Sequence, residues 1–169
     1  MMRWDKFTVM SQEAVQMAQS KAEELGHQQV QPEHLLWSFL TQEENIVGSM
    51  LAKIGANRSK ILEELKTSLQ KMPKVQGVEV YLSSALRRIM SDAQKEADKL
   101  KDEYISTEHM FLALLKGKST EAGRMLEENG VTEEAVLEAL KAVRGTQRIT
   151  DPQPEAKYQV LQKYTRDFT

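Results

Sequence analysis

The sequence contains no cysteine, which excludes disulfides, thiolate metal ligands and a thiol nucleophile. It carries no excess of charge of either sign, because 23 Lys and Arg stand against 25 Asp and Glu and leave a net charge of −2. That balance gives no electrostatic case for nucleic acid as a partner. A chain without cysteine fits a reducing compartment, so we expect a cytoplasmic protein.

Long apolar runs are also missing. No stretch approaches the roughly 20 apolar residues that span a bilayer, and the N-terminus "MMRWDKFTVM" has no apolar core of a secretory signal. We therefore expect no membrane partner. The composition, 40% hydrophobic and 28% charged, is typical of a globular chain that buries a core.

The motifs of common enzyme sites are absent as well. The eight glycines are scattered, and "KGKST" at Lys116–Thr120 lacks the glycine spacing of a phosphate-binding loop. No G-x-S-x-G elbow occurs. We predict no catalytic residue, no bound metal and no cofactor in this chain. A hydrolase or metal enzyme stays as an alternative that rests only on two Glu-His pairs, in "QPEHLLWSFL" and "STEHMFLALL".

The sequence does contain a repeat. The two Glu-His phrases place His34 and His109 75 positions apart, and further identities keep that offset without a gap. They are Ala18 and Ala93, Gln19 and Gln94, Ala22 and Ala97, Leu25 and Leu100, Glu33 and Glu108, Leu40 and Leu115, Gly48 and Gly123, Met50 and Met125, Leu51 and Leu126, Gly55 and Gly130, Leu62 and Leu137, and Lys66 and Lys141. We interpret this as a tandem duplication, with repeat one at 7–70, a linker at 71–81 and repeat two at 82–145.

Each repeat is predicted to form four helices. Apolar residues recur at helical spacing in the first segment, helix-capping residues precede the later ones, and no segment alternates convincingly as a strand. We predict an all-α fold of about eight helices, in which two pseudo-symmetric four-helix repeats share one core.

The Glu-His phrase has two interpretations. A helical zinc site needs two histidines four residues apart with Glu between them, whereas here Glu and His are adjacent and diverge on a helix. A helix start explains the phrase better. Pro32 suits the first position, Glu33 and Glu108 suit the positive end of the helix dipole, and His34 and His109 can bond to nearby backbone or to the preceding helix.

Two other features recur on the apolar faces. Gly48 and Gly123 lie inside predicted helices, where Gly costs about 1 kcal/mol relative to Ala, so we expect close helix approach at both. The nine methionines are best explained as fillers of irregular core gaps; the alternative is that some line an adaptable apolar groove.

The last residues follow a different pattern. "TDPQPEA" has two prolines in close succession, and "YQVLQKYTRDFT" starts a helical pattern that it does not complete. We predict a linker at 146–154 and the beginning of a further domain at 155–169.

The sequence resembles the double Clp N-terminal repeat domain of the AAA+ Clp chaperones, its disaggregase members in particular. The resemblance rests on the phrase "PEHLL", the later "G..L...G", the second copy 75 residues on and both flanks of the chain. The resemblance implies a non-enzymatic N-terminal domain that captures exposed apolar segments of unfolded or aggregated proteins in a hydrophobic groove. It also implies ATP and Mg²⁺ in downstream domains, a full-length homohexamer and cooperation with a DnaK-type chaperone. The alternative is a docking domain for a folded adaptor in a protease-linked Clp unfoldase.

The resemblance also implies a binding site. The family's polar positions around the groove match Thr8, Asp102 and Glu108. We add nearby apolar residues as candidate lining, which are Leu86, Met90, Tyr104, Ile105 and Met110. His109 is a departure, because some relatives have an apolar residue at that position.

Overall fold

The fold follows the predicted duplication closely. A computed structural model describes residues 4–75, 77, 79–145, 150 and 152, and these contain eight α-helices, four in each repeat, so the predicted fold class is confirmed. The helices are α1 (Val9–Glu24), α2 (Pro32–Thr41), α3 (Ile46–Ile54), α4 (Arg58–Gln70), α5 (Ser84–Lys99), α6 (Thr107–Lys116), α7 (Glu121–Glu128) and α8 (Glu133–Arg144). A short 3-10 turn covers Trp4–Lys6. The predicted segment 155–169, and 146–154 apart from residues 150 and 152, lie outside the described residues.

Side-chain caps explain where most helices begin. Six helices start after a Thr, Asn or Ser whose side chain accepts a hydrogen bond from a backbone N–H two or three residues ahead, which satisfies one of the free donors of the first turn. These residues are Thr8, Asn45, Asn57, Ser83, Thr120 and Thr132.

Backbone pairing joins the two repeats at two equivalent places. The strands β1 (Gln29–Val30) and β2 (Tyr81–Leu82) pair in parallel, with Val30 opposite Leu82. A single parallel bridge joins Phe7 to Ile105. The two bridges are equivalent, because Ile105 follows Val30 and Leu82 follows Phe7 by the repeat offset of 75. Each repeat therefore pairs the segment before its first helix with the segment before the second helix of the other repeat.

The helices exchange neighbours in the same reciprocal way. The two largely buried helices α2 and α6 meet in the centre, where the rings of Phe39 and Phe111 pack edge to face with centroids 6.2 Å apart. Around them, α3 packs on α8 and α4 packs on α7. Because α7 is the counterpart of α3 and α8 of α4, each half supplies part of the cover of the other, and one continuous core results.

The two repeated glycines have different surroundings, so the expectation of close approach is right at one and wrong at the other. A Cβ at Gly123 would lie 2.9 Å from the carbonyl carbon of Gly117 and 3.0 Å from the carbonyl oxygen of Leu114, which are backbone atoms. A Cβ at Gly48 would meet only the Arg58 guanidinium, at 3.8 Å. Gly48 has room for a methyl group because the nearest atom belongs to the end of the long Arg58 side chain and not to the backbone.

We expect Gly123→Ala to lower the free energy of unfolding by about 1–3 kcal/mol, because the added methyl group forces backbone atoms apart. Gly48→Ala is the matched control. It should leave stability unchanged or raise it by up to about 1 kcal/mol, because Ala favours the helix and meets only ordinary contacts. Urea unfolding of both variants measures the difference, and equal loss in both would contradict a close backbone approach that is confined to Gly123.

Candidate functional site

A buried imidazole organises the start of α6. Nδ1 of His109 accepts a hydrogen bond from the backbone N–H of Ser106 at 2.8 Å, and Nε2 lies 2.8 Å from Oδ2 of Asp102. Since Nδ1 accepts, the ring proton sits on Nε2 and is donated to the carboxylate. The second Glu-His phrase is thus a helix start, in which His caps the helix and also ties it to the end of α5.

Arg144, the last residue of α8, completes a buried polar cluster. Its guanidinium donates two hydrogen bonds to Asp102, at 2.9 Å to Oδ2 and 2.7 Å to Oδ1. It also lies 3.6 Å from Oε2 of Glu108, whose carboxyl oxygens are buried and form no hydrogen bond with the described residues. We call Asp102, Glu108, His109 and Arg144 the polar cluster. It sets two carboxyl groups against one guanidinium in the interior.

Repeat one has a different set at the same positions. Asp102 corresponds to His27, His109 to His34 and Arg144 to Leu69. His34 again caps its helix, with Nδ1 accepting from the backbone N–H of Gln31 at 2.8 Å, so its Nε2–H is donated to Nδ1 of His27, also at 2.8 Å. Repeat one thus keeps the His cap but holds no ion pair there.

Burial shifts the ionisation of this repeat-one pair. Burial, together with the nearby His27 and Lys21, lowers the pKa of His34 to about 4. Burial and the charge of Lys74 also lower the pKa of His27. Burial raises the pKa of Glu33. Both histidines are therefore neutral in the folded chain near pH 7.

The bridge between the repeats adjoins the polar cluster. The Thr8 backbone N–H donates to the Ile105 carbonyl at 2.9 Å, and the Ser11 hydroxyl donates to the same carbonyl at 3.1 Å. The Thr8 hydroxyl in turn accepts from the Ser11 N–H. Thr8 therefore lies against the 102–108 segment, and Asp102 and Glu108 meet at the Arg144 guanidinium.

The predicted apolar lining lies mostly in the core. Leu86, Met90, Ile105 and Met110 are each at most 2% exposed, so they offer almost no surface in this conformation. Tyr104 alone is half-buried and reaches the surface. The spacing of apolar residues predicts which face of a helix is covered, but not whether a bound segment or another helix covers it. Here other helices cover this face. A role for these residues in binding stays a prediction.

Arg144 is the site residue that sequence reasoning missed. It follows the ordinary pattern of a basic residue at a helix end. The signal lay in the repeat alignment, where Arg144 stands opposite Leu69 and Asp102 stands opposite His27. A complementary pair of charges that appears in only one copy of a buried position indicates an ion pair.

Two surface grooves occupy equivalent positions in the repeats. One lies between α1 and α2, has a volume of about 490 Å³ and contains Met17 and Trp37. The Lys21 ammonium lies over the Trp37 ring, 4.6 Å from its centroid. The other lies between α5 and α6 and has a volume of about 750 Å³. We call them the α1–α2 groove and the α5–α6 groove.

Two kinds of site are not found within the described ranges. No helix there is long and apolar enough to cross a membrane. No group of three or more His, Asp and Glu side chains in that part of the chain is placed to hold a metal ion.

Comparison with known proteins agrees with the duplicated helical fold. Residues 6–129 match the family described as the Clp repeat (R) N-terminal domain. The chain belongs to this Clp N-terminal domain family. The chaperone protein ClpB of Bdellovibrio bacteriovorus is 43% identical over 164 residues, which cover 96% of this chain and 19% of the relative. This Clp N-terminal domain chain thus spans about a fifth of the length of that relative.

Solved structures show the same fold at lower sequence identity. The Hsp104 N-terminal domain of Candida albicans has a TM-score of 0.78 and 22% identity, covering 89% of this chain and 99% of that domain. A ClpV N-domain in complex with a VipB peptide has a TM-score of 0.66 and 20% identity, covering 81% of this chain and 86% of that one. These likenesses support the fold of the Clp N-terminal domain.

We expect Arg144→Leu to lower the free energy of unfolding by about 3–5 kcal/mol, because it leaves Asp102 and Glu108 buried without their cation. Asp102→His with Arg144→Leu transplants the repeat-one arrangement and should recover much of the loss. Arg124→Leu, which removes exposed ion pairs, is the control and should change the melting temperature little. Thermal unfolding measures all three, and a double variant no more stable than Arg144→Leu would contradict the equivalence of the two positions.

We expect acid to weaken the fold through His34. The unfolded chain protonates this histidine near pH 6.5 and the folded chain only near pH 4, so the unfolded state binds more protons between these values and stability falls as the pH falls. The loss should reach about 3 kcal/mol at most. Glu33 acts in the opposite direction, since its raised pKa favours the fold at low pH and that contribution is lost as the pH rises.

His34→Asn removes the His34 contribution, because the Asn side-chain oxygen can accept the Gln31 N–H but does not titrate, while His27, whose lowered pKa acts in the same direction, stays in both proteins. Denaturant unfolding at pH 7 and pH 4.5 should show a smaller loss in the variant than in the parent chain. Equal losses in the two proteins would refute the assignment to His34.

Proposed function

We propose that this chain is the N-terminal substrate-binding domain of an ATP-dependent protein disaggregase, where it captures exposed apolar segments of unfolded or aggregated proteins. The observation that carries the proposal is the 43% identity with a chaperone protein ClpB across 96% of the chain. ATP hydrolysis with Mg²⁺ would belong to the rest of the protein. We further propose a homohexamer in the cytoplasm that cooperates with a DnaK-type chaperone.

An apolar patch at the junction of the repeats supports a binding role. Trp4 and Val9 are each 38% exposed, and Tyr104 is half-buried. The backbone bridge of Phe7 with Ile105 brings these segments together. We call Trp4, Val9 and Tyr104 the junction patch. An exposed Trp on a segment that adjoins one with a partly exposed Tyr is typical of binding surfaces.

The buried polar residues would act on this patch indirectly. Thr8 is fully buried and holds the Ile105 carbonyl, while Asp102 anchors the loop that carries Tyr104 to α6 and α8. Neither side chain has enough free surface to make a large contact with a bound segment. We therefore propose that Thr8, Asp102 and Glu108 position the patch rather than contact the client.

Apolar contact suits a binder of many sequences. Unfolded clients share exposed apolar side chains but no pattern of hydrogen-bonding groups, so a site that used directional bonds would reject most of them. Single-site affinity should be weak, since an unfolded segment loses conformational entropy when it is held. In a hexamer, six linked copies would raise the effective concentration of sites around one client.

Docking of an adaptor protein is the second candidate. The observation in its favour is the related fold of a ClpV N-domain in complex with a VipB peptide. Such a partner would offer a defined segment from a folded protein rather than many unrelated segments. Capture of one folded protein at fixed stoichiometry, without affinity for unfolded chains, would favour this candidate.

We expect Tyr104→Ser to weaken binding of an apolar peptide by at least about fivefold, because the variant removes an aromatic contact from the junction patch. The probe is a fluorescein-labelled peptide of alternating Leu and Ser, titrated with the chain and followed by anisotropy. Tyr81→Ser is the matched control, because Tyr81 is 47% exposed in the other bridge between the repeats.

Amide shifts in NMR locate the contact. Shifts should concentrate at residues 4–12 and 102–108. Absence of shifts at high peptide concentration, or equal weakening by Tyr81→Ser, would refute the proposed site.

A further inference from the structure

The two grooves differ in charge at equivalent positions. Three pairs of residues related by the repeat offset carry opposite charges. They are Glu13 and Arg88, Lys21 and Glu96, and Glu24 and Lys99, and all six line their grooves. Ser20 in the α1–α2 groove is also replaced by Lys95 in the α5–α6 groove. Divergence after duplication therefore made the two grooves electrostatically unlike.

Basic side chains dominate the α5–α6 groove. Five of them, Arg88, Lys95, Lys99, Lys116 and Lys118, line it together with two acidic ones, Asp92 and Glu96. The α1–α2 groove has one basic side chain and two acidic ones. In a chain with a net charge of −2, the α5–α6 groove is a local concentration of positive charge.

Most of these cations already have partners, and only the pair of Lys116 with Glu96 is both short and partly buried. Lys116 contacts Glu96 at 2.8 Å and Glu133 at 3.6 Å. The other pairs are Lys99 with Glu96 at 3.7 Å, Lys95 with Asp92 at 3.6 Å and Lys118 with Glu127 at 3.8 Å. Arg88 forms no ion pair with the described residues. The side chains of Lys95, Lys99 and Lys118 are at least 65% exposed, and such long exposed pairs contribute little. An incoming carboxylate can therefore compete for these lysines and for Arg88.

The groove also offers apolar contact and a helix end. Ala85 is half-buried and gives the wall a small apolar surface, while Ile89 and Ala113 in the same wall are nearly fully buried. Thr120, which caps α7, lies at the groove, so the positive end of that helix dipole adds to the side-chain charge. A segment that carries both carboxylates and small apolar groups is therefore complementary to the groove.

We propose that the α5–α6 groove binds acidic segments of client polypeptides, with client carboxylates paired to Arg88, Lys95 and Lys99. This deepens the proposed function and rests on it, because it names a class of client segment. A polypeptide fits better than a nucleic acid, because the groove lacks aromatic side chains on which bases could stack.

The test compares three labelled peptides of equal length on the whole 169-residue chain. They alternate Leu with Glu, with Lys or with Ser. The Leu/Glu peptide should bind about threefold to tenfold more tightly than the Leu/Ser peptide, and the preference should shrink as salt is added. The Leu/Lys peptide should bind less tightly than the Leu/Glu peptide.

Variants assign the preference to the groove. Arg88→Ser with Lys95→Ser removes two exposed cations and should abolish most of the preference while leaving Leu/Ser binding unchanged. Lys60→Ser with Lys66→Ser on α4 makes the same change in net charge elsewhere and should keep the preference. Amide shifts specific to the Leu/Glu peptide should fall on residues 84–99 and 116–120.

The outcomes separate this proposal from the previous one. Equal binding of all three peptides would overturn the acidic preference and leave the client-binding function intact. No binding of any peptide would overturn the client-binding function. Equal effects of the two double variants would show that the preference depends only on the net charge of the chain, and would overturn the assignment to the groove. Tighter binding of an oligothymidine than of the Leu/Glu peptide at equal salt would overturn the choice of a polypeptide.

Discussion

Two helices that are apolar on nearly every side set the main constraint on this fold. The bodies of α2 and α6 have no polar face to turn toward water, so each must be covered all round. One repeat of four helices does not cover its own central helix, and the other repeat supplies the missing neighbours. The reciprocal pairing of α3 with α8 and of α4 with α7 follows from that need.

The polar cluster shows how duplicated positions can diverge within such a core. Both repeats keep a histidine that caps the second helix, because the cap is needed twice. Repeat two adds Asp102 and Arg144, and the ion pair ties the end of α5 to the end of α8. Buried ion pairs are often no more stabilising than apolar contacts of the same size. The geometry instead fixes the loop of Tyr104, so we infer that positioning of the surface is the main effect of the pair.

The fold could be predicted in most respects, because its determinants are local or repeated. Cap residues such as Thr8 and Thr132 act within one turn of helix, and the constant offset revealed the two halves. The outcome at Gly48 could not be predicted, since the length and path of the Arg58 side chain decide what lies over it. The burial of Leu86 and Met110 could not be predicted either. Apolar residues recur at the same helical spacing whether the face packs on another helix or lines an open groove. Arg144 escaped notice since its partner lies 42 positions away in the chain.

The two equivalent backbone bridges also indicate an evolutionary origin for this domain. Phe7 of the first half pairs with Ile105 of the second, and Leu82 of the second half pairs with Val30 of the first. Such reciprocal contacts are those of an isologous interface between identical subunits. A protein of a single repeat could therefore have existed as a two-fold symmetric dimer before its genes were fused. Fusion released the two copies of each residue from the requirement to be identical. Opposite charges in the two grooves are a change that a symmetric dimer could not make.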